Sequence, residues 1–176
     1  MDYLNFMKLQ QTKEILDLVD ENDQVIGIIE RGEAYQQGLT NIRVIDAFIK
    51  NAEGKLFIPR RHKDKRLHPL KLDASAGGHV SSGESYDEAF VKEVQEELNL
   101  DVRHVLFKKL GTMTPESDGT GAFITVYEIL SDETPDYNPN DFIEHYWLTP
   151  EEIIERIAQG DKAKSHLPMI LKKFYL

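Results

Sequence analysis

The segment GGHVSSGESYDEAFVKEVQEELNL, Gly77 to Leu100, constrains this chain more than any other. Tyr86, Phe90, Val94 and Leu98 recur every four residues, with Ala89 beside them. That spacing lays one apolar stripe along a helix from Tyr86 to Leu98. A helix with a single apolar face must bury it against another layer of structure. Ser81 or Ser82 is a candidate N-cap for it. Glu93, Glu96 and Glu97 stand three and four residues apart, so their side chains are neighbours on the helix surface. Like charges so placed cost roughly 0.2 to 0.5 kcal/mol per pair. One reading is a solvated face, relieved in part by Lys92. The other is a hard cation held among three carboxylates, because magnesium and calcium take oxygen ligands and magnesium fills its shell with waters and substrate phosphates. Gly77 and Gly78 let the backbone approach a ligand closely, and a carbonyl there would add one more oxygen.

Strand and helix patterns alternate along the rest of the chain. Glu14 to Val19 and Val25 to Ile29 are predicted to pair as a hairpin around the polar loop Asp20–Asp23. Arg31 to Gln37 reads as a short helix stopped by a left-handed Gly38. Ile42 to Ile49 and Leu56 to Ile58 read as strands joined by the turn Asn51–Gly54. Val102 to Leu110 and Ala122 to Leu130 read as further strands, with Gly111 to Gly121 between them as a flexible loop. Phe142 to Leu148 is a short strand, Thr149-Pro150 opens a helix, and Pro168 to Tyr175 forms the last one. This interleaving predicts one α/β domain, a mixed sheet between helical layers. A length of 176 residues suits one such domain with its own core.

The formal net charge of -10 argues against a nucleic-acid polymer as partner. The chain has no cysteine, which excludes disulfides, thiolate nucleophiles and cysteine-based zinc sites. The start lacks a basic-then-apolar signal pattern, and no window approaches a membrane span. These features point to a cytoplasmic protein with no membrane partner. The one basic cluster is Arg60, Arg61, His62, Lys63, Lys65 and Arg66, read as a loop between a strand and the glycine pair. Within it Arg60 and Arg61 are the candidates for clamping a substrate phosphate.

The stretch from Gly78 resembles the signature of the Nudix hydrolases. That signature runs Gly, five residues, Glu, seven residues, then Arg-Glu-apolar-any-Glu-Glu-any-Gly-apolar. Here Gly78 and Glu84 are followed by Lys92-Glu93-Val94-Gln95-Glu96-Glu97-Leu98-Asn99-Leu100. Lys92 stands where the family has Arg, keeping the charge but losing two-pronged geometry. Asn99 stands where the family has Gly, and Asn is the next-best residue for a left-handed helix end. The resemblance implies a Nudix fold over residues 1–176, with an N-terminal hairpin extension at 1–40 and the signature at 78–100. It implies Mg2+-dependent hydrolysis of a diphosphate linkage in a small molecule, first a nucleoside diphosphate or its derivative, with Mn2+ as the alternative ion. Glu93, Glu96 and Glu97 would be the catalytic residues and metal ligands, and the carbonyl of Gly78, or of Gly77, would complete the site. Glu84 would hold the loop to the helix through Lys92. Glu144 is the candidate for an additional acid, while Glu116 reads as a surface residue. The N-terminal hairpin is a candidate surface for a homodimer.

Upstream, LVDENDQVIGIIERGEAYQQGLTNIRVIDAFIKNAEGKLFIPRR resembles the Nudix branch that contains isopentenyl-diphosphate isomerase. An isomerase is therefore an alternative. It uses a cysteine where this chain has Gly77, and histidine ligands of which only His79 has a counterpart here. His79 then reads as a local hydrogen-bonding residue. A third reading, a nucleotide-binding module without turnover, draws support from Lys92 alone. The hydrolase is the expectation.

Overall fold

A computed structural model describes residues 14–176. Ile15–Val19 (β1) and Val25–Glu30 (β2) form an antiparallel hairpin, and Arg31–Gln36 (α1) follows. Gly38 then turns the chain at a φ of +62°. Arg43–Lys50 (β3), Leu56–Arg61 (β4) and Ala76–His79 (β5) precede the helix Tyr86–Leu98 (α2). A 3-10 turn at Val102–His104 leads into Leu106–Met113 (β6). Next come one helical turn, Pro115–Asp118 (α3), and the strands Phe123–Leu130 (β7) and Phe142–Leu148 (β8). Pro150–Ala158 (α4) and Leu167–Phe174 (α5) end the fold.

The main sheet runs β6-β7-β3-β4-β8, with β5 also paired to β3. β3 and β7 are parallel, and the other pairs are antiparallel. β3 is the pivot. One of its edges carries β7 along its whole length. Its other edge is shared: β5 pairs with Val44–Ala47, and β4 joins only at Lys50. The sheet therefore forks beside β3.

Side chains alternate across a strand, so β3 feeds two cores. Phe48 packs with Ile153 of α4 and with Leu167, Ile170 and Leu171 of α5. Ile45, Ala47 and Ile49 pack with Ala89, Phe90, Val94 and Leu98 of α2, the stripe expected from the four-residue spacing. Each such large apolar side chain contributes about 1.5 to 3 kcal/mol when fully buried. Phe90 also stacks on Tyr127 with ring centroids 4.2 Å apart. The mixed sheet between helical layers is thus present.

Four local expectations are corrected. Ser85, not Ser81 or Ser82, caps α2: its hydroxyl accepts the Glu88 N–H while the Glu88 carboxylate accepts the Ser85 N–H. The earlier serines are engaged elsewhere, Ser82 Oγ donating to Asp17 at 2.7 Å. Arg60 and Arg61 belong to β4 and not to a loop, because pairing with β8 carries the strand that far. The expected strand from Val102 starts instead with a 3-10 turn capped by Asp101. The loop from Gly111 is shorter than expected, since β7 holds Met113 in register with Ile124 and Thr114 caps α3.

Candidate active site

Packing of the apolar stripe leaves Glu93 and Glu97 against β5, with Glu96 exposed beside them. Asn99 ends the helix in the left-handed region, at φ 49° and ψ 32°, as an Asn in place of Gly should. Glu97 is buried and accepts the Gly77 N–H at 2.9 Å. A Cβ added to Gly78 would collide with the Glu93 carboxylate. A glycine at this position is therefore what lets β5 close on the helix. Burial pushes the Glu93 carboxyl up to about 7, with Lys92 working against the rise and Glu96 adding to it. Burial also lifts Glu97 well above the carboxylate range, against the pull of the Gly77 amide. Carboxylates that resist ionisation side by side are the arrangement a dication reverses. The donors are carboxylate and carbonyl oxygens, which fit Mg2+.

Lys92 does the work expected of it. Its ammonium donates to Glu84 at 2.9 Å, and Glu84 accepts the Ser81 N–H at 2.9 Å. The lysine thereby ties the turn before α2 to the helix at one point, and its ammonium lies 3.8 Å from Glu93.

The glutamates line a cleft of about 830 Å³. Gly77 and Gly78 lie beside them, Arg61, Lys65 and Lys164 bring positive charge, and Leu39, Ile42 and Ile124 form an apolar wall. The structure thus brings together Glu93, Glu96, Glu97, Gly78 and Arg61. It sets Arg60 and Glu144 apart. Arg60 grips Asp161 through two nitrogens, at 2.9 and 3.0 Å, and pairs with Glu144, which also accepts from Tyr146 Oη. Neither residue lines the cleft. Neighbouring residues on a strand point to opposite faces, so β4 sends Arg61 into the cleft and Arg60 away from it. Glu116 is exposed on α3 and also lies outside the cleft. His79 sits 2.9 Å from the Tyr35 hydroxyl, and burial pushes its imidazole down to about 4, so it is neutral at ordinary pH.

Sequence reasoning missed several ionisable groups of this cleft, among them Asp46, Asp141, Lys164 and His166, and it missed Asp73, which pairs with the cleft's Arg61 and Lys164. Asp46 faces Gly77 in the β3–β5 register. Asp73 accepts from Arg61 at 2.7 Å and lies 3.1 Å from the Lys164 ammonium. Lys65 is paired with Asp141. One signal was available: an acid in the middle of the strand RVIDAFIK costs too much to bury without a purpose.

The NUDIX domain pattern matches residues 40–170. The chain belongs to the Nudix hydrolase family. An uncharacterised Nudix hydrolase of Nostoc sp. is 52% identical over 167 residues, spanning 95% of this chain and 99% of that one. The crystal structure of a Deinococcus radiodurans protein superposes with a TM-score of 0.88 at 43% identity, covering 93% of this chain and 100% of the other. A more distant similarity, 25% over 168 residues, links 90% of this chain to 91% of an isopentenyl-diphosphate Delta-isomerase of Kocuria rhizophila. As a Nudix hydrolase the protein is a pyrophosphohydrolase acting on small molecules, and such enzymes generally use divalent metals such as Mg2+. Among the described residues, no helix is long and apolar enough to cross a membrane.

Proposed function

We propose that this Nudix hydrolase performs Mg2+-dependent hydrolysis of a diphosphate linkage in a small molecule, first a nucleoside diphosphate or one of its derivatives. Mn2+ is the alternative ion. The observation that carries the reading is the closure of β5 on α2, which holds the buried Glu97 and the partly buried Glu93 against a glycine pair in a cleft that also contains Arg61. Glu93, Glu96, Glu97 and the Gly78 carbonyl would hold the ion. When bound, it neutralises phosphate charge and favours attack by water. The remaining work belongs to the chain. The Gly77 N–H fixes the Glu97 carboxylate in place. Glu93 would take the proton of the attacking water. Water then bonds to phosphorus, the bridging P–O bond breaks, and the departing oxygen takes a proton from solvent. Arg61 lines the same cleft and would offer the phosphates the guanidinium hydrogens that Asp73 and the Leu67 carbonyl leave free. Lys92 and Glu84 act by position, anchoring the turn.

Two features weigh against the other readings. A Cβ at Gly77 would collide with Asp46, so the backbone here is built for glycine and not for the isomerase's cysteine. Lys92 keeps its ion pair with Glu84, which removes the support for a module without turnover.

Product release should be followed by chromatography with nucleoside diphosphates, dinucleotides, nucleotide sugars and isopentenyl diphosphate, with and without Mg2+. Glu97→Gln is expected to lower kcat/KM by roughly 100-fold or more on the best of them. Release that persists in the variant, or without any dication, would overturn the assignment.

A further inference from the structure

Asp46, Asp73 and His166 meet from three separate parts of the chain: the middle of β3, the segment between β4 and β5, and the residue preceding α5. One ligand atom from each lies within 4.8 Å of the others. We propose that this triad is a second metal site, distinct from the glutamates of α2, which binds a divalent transition-metal ion of the Mn2+ type.

The first argument is an unmet need. Asp46 is only 2% exposed, yet neither its Oδ2 nor His166 Nε2 has a hydrogen-bond partner among the described residues. The two atoms are 2.9 Å apart but not aligned as donor and acceptor. A buried carboxylate oxygen without a partner is costly, and native folds rarely keep one. The separation has a natural explanation in coordination chemistry. Two adjacent ligands on an octahedral ion, each bonded at about 2.1 Å, stand roughly 3.0 Å from one another.

The second argument is the donor set. An imidazole nitrogen with two carboxylates suits the first-row transition metals better than magnesium, which prefers oxygen alone. Charge sets the strength. Arg61 and Lys164 beside Asp73 together balance the charges of Asp73 and Asp46, so an ion would gain little net charge attraction. Asp73 Oδ2 receives one bond, from Arg61, and keeps a lone pair free for the ion. Binding is therefore modest, and Lys164 competes with the ion for Asp73.

The two sites occupy opposite faces of β5. A Cβ on Gly77 would strike Asp46, whereas one on Gly78 would strike Glu93, and adjacent strand residues point to opposite sides. An ion on the Asp46 face would clamp the chain before α5 to the central strand.

The test uses the full chain with Glu93, Glu96 and Glu97 all changed to Gln, which silences the helix site and makes the result independent of the hydrolase reading. Mn2+ alone is the probe, bound ion being counted by electron paramagnetic resonance and histidine ring signals followed by NMR. About one Mn2+ should bind, broadening the His166 ring signals first, with His166 assigned by their loss in His166→Asn. His166→Asn in the same background should weaken binding at least tenfold, and Lys164→Met should tighten it. No bound Mn2+, or bound Mn2+ that leaves the His166 ring sharp, would overturn the site and leave a plain Asp46–His166 ion pair. Should the triple variant not fold, Asp46→Asn and His166→Asn in the otherwise unaltered chain must each remove one of two Mn2+ sites, and retention of both would overturn it equally.

Discussion

Glu93 and Gly78 are the residue pair on which most of the chemistry turns. Gly78→Ala would push a methyl group into the Glu93 carboxylate. We expect about 1 to 3 kcal/mol of destabilisation from overpacking, read by urea unfolding, together with a large fall in kcat. The raised Glu93 and Glu97 also make a pH prediction for the metal-free protein. The unfolded Glu93 releases its proton near 4.5, the folded one near 7. Between these values the native state binds more protons than the unfolded state, so stability falls as pH rises. The loss from Glu93 is on the order of 3 kcal/mol between pH 4.5 and pH 7, at about 1.36 kcal/mol per unit. Glu97 acts in the same direction. Urea midpoints measured in EDTA at pH 5, 6, 7 and 8 should decline, and saturating Mg2+ should flatten the decline. A flat or rising series in EDTA would show that the two carboxyls are not held as described.

At the scale of elements, α2 rests on its cap and its stripe. Ser85→Ala should cost about 1 kcal/mol in thermal unfolding, whereas the same change at Ser81 should leave the helix capped. The capping box is visible in the sequence, since Ser85 and Glu88 stand three apart before the apolar run. The serines next to the glycine pair compete for the role on sequence alone. What disqualifies them is long-range: Ser82 binds Asp17 of β1, and Glu84 turns back to the Ser81 N–H. The Thr149-Pro150 start and the Asn99 stop were legible because each depends on only a few neighbouring residues.

For the whole molecule, the way β4 sits in the sheet separates two arginines that are adjacent in the chain. Arg61 lines the cleft, while Arg60 is tied into the network of Glu144, Asp161 and Arg156. Arg60→Met should lower stability by on the order of 1 to 3 kcal/mol and leave KM within about twofold. Arg61→Met should raise KM and lower kcat/KM by roughly tenfold or more, since it removes a charged donor from the phosphate wall. Steady-state kinetics paired with denaturation curves separates the two outcomes. Equal effects of both variants on KM would contradict the placement of Arg60 outside the site.

The sequence by itself determined whatever depends on local spacing: the apolar stripe of α2, the clustering of Glu93, Glu96 and Glu97, the glycine pair, the left-handed Asn99 and the Nudix signature that joins them. Helix periodicity and capping act over a few residues, so they can be read without the fold. Only the tertiary structure decided which strand face each side chain occupies, because alternation tells that neighbours differ but not which one faces the cleft. It placed Arg61 inside and Arg60 outside, set Asp46 against Gly77 across two strands, and brought His166 to them from beside the last helix. Those contacts join residues from about 30 to 120 positions apart, and such distances are set by how the sheet and helices bury their apolar faces.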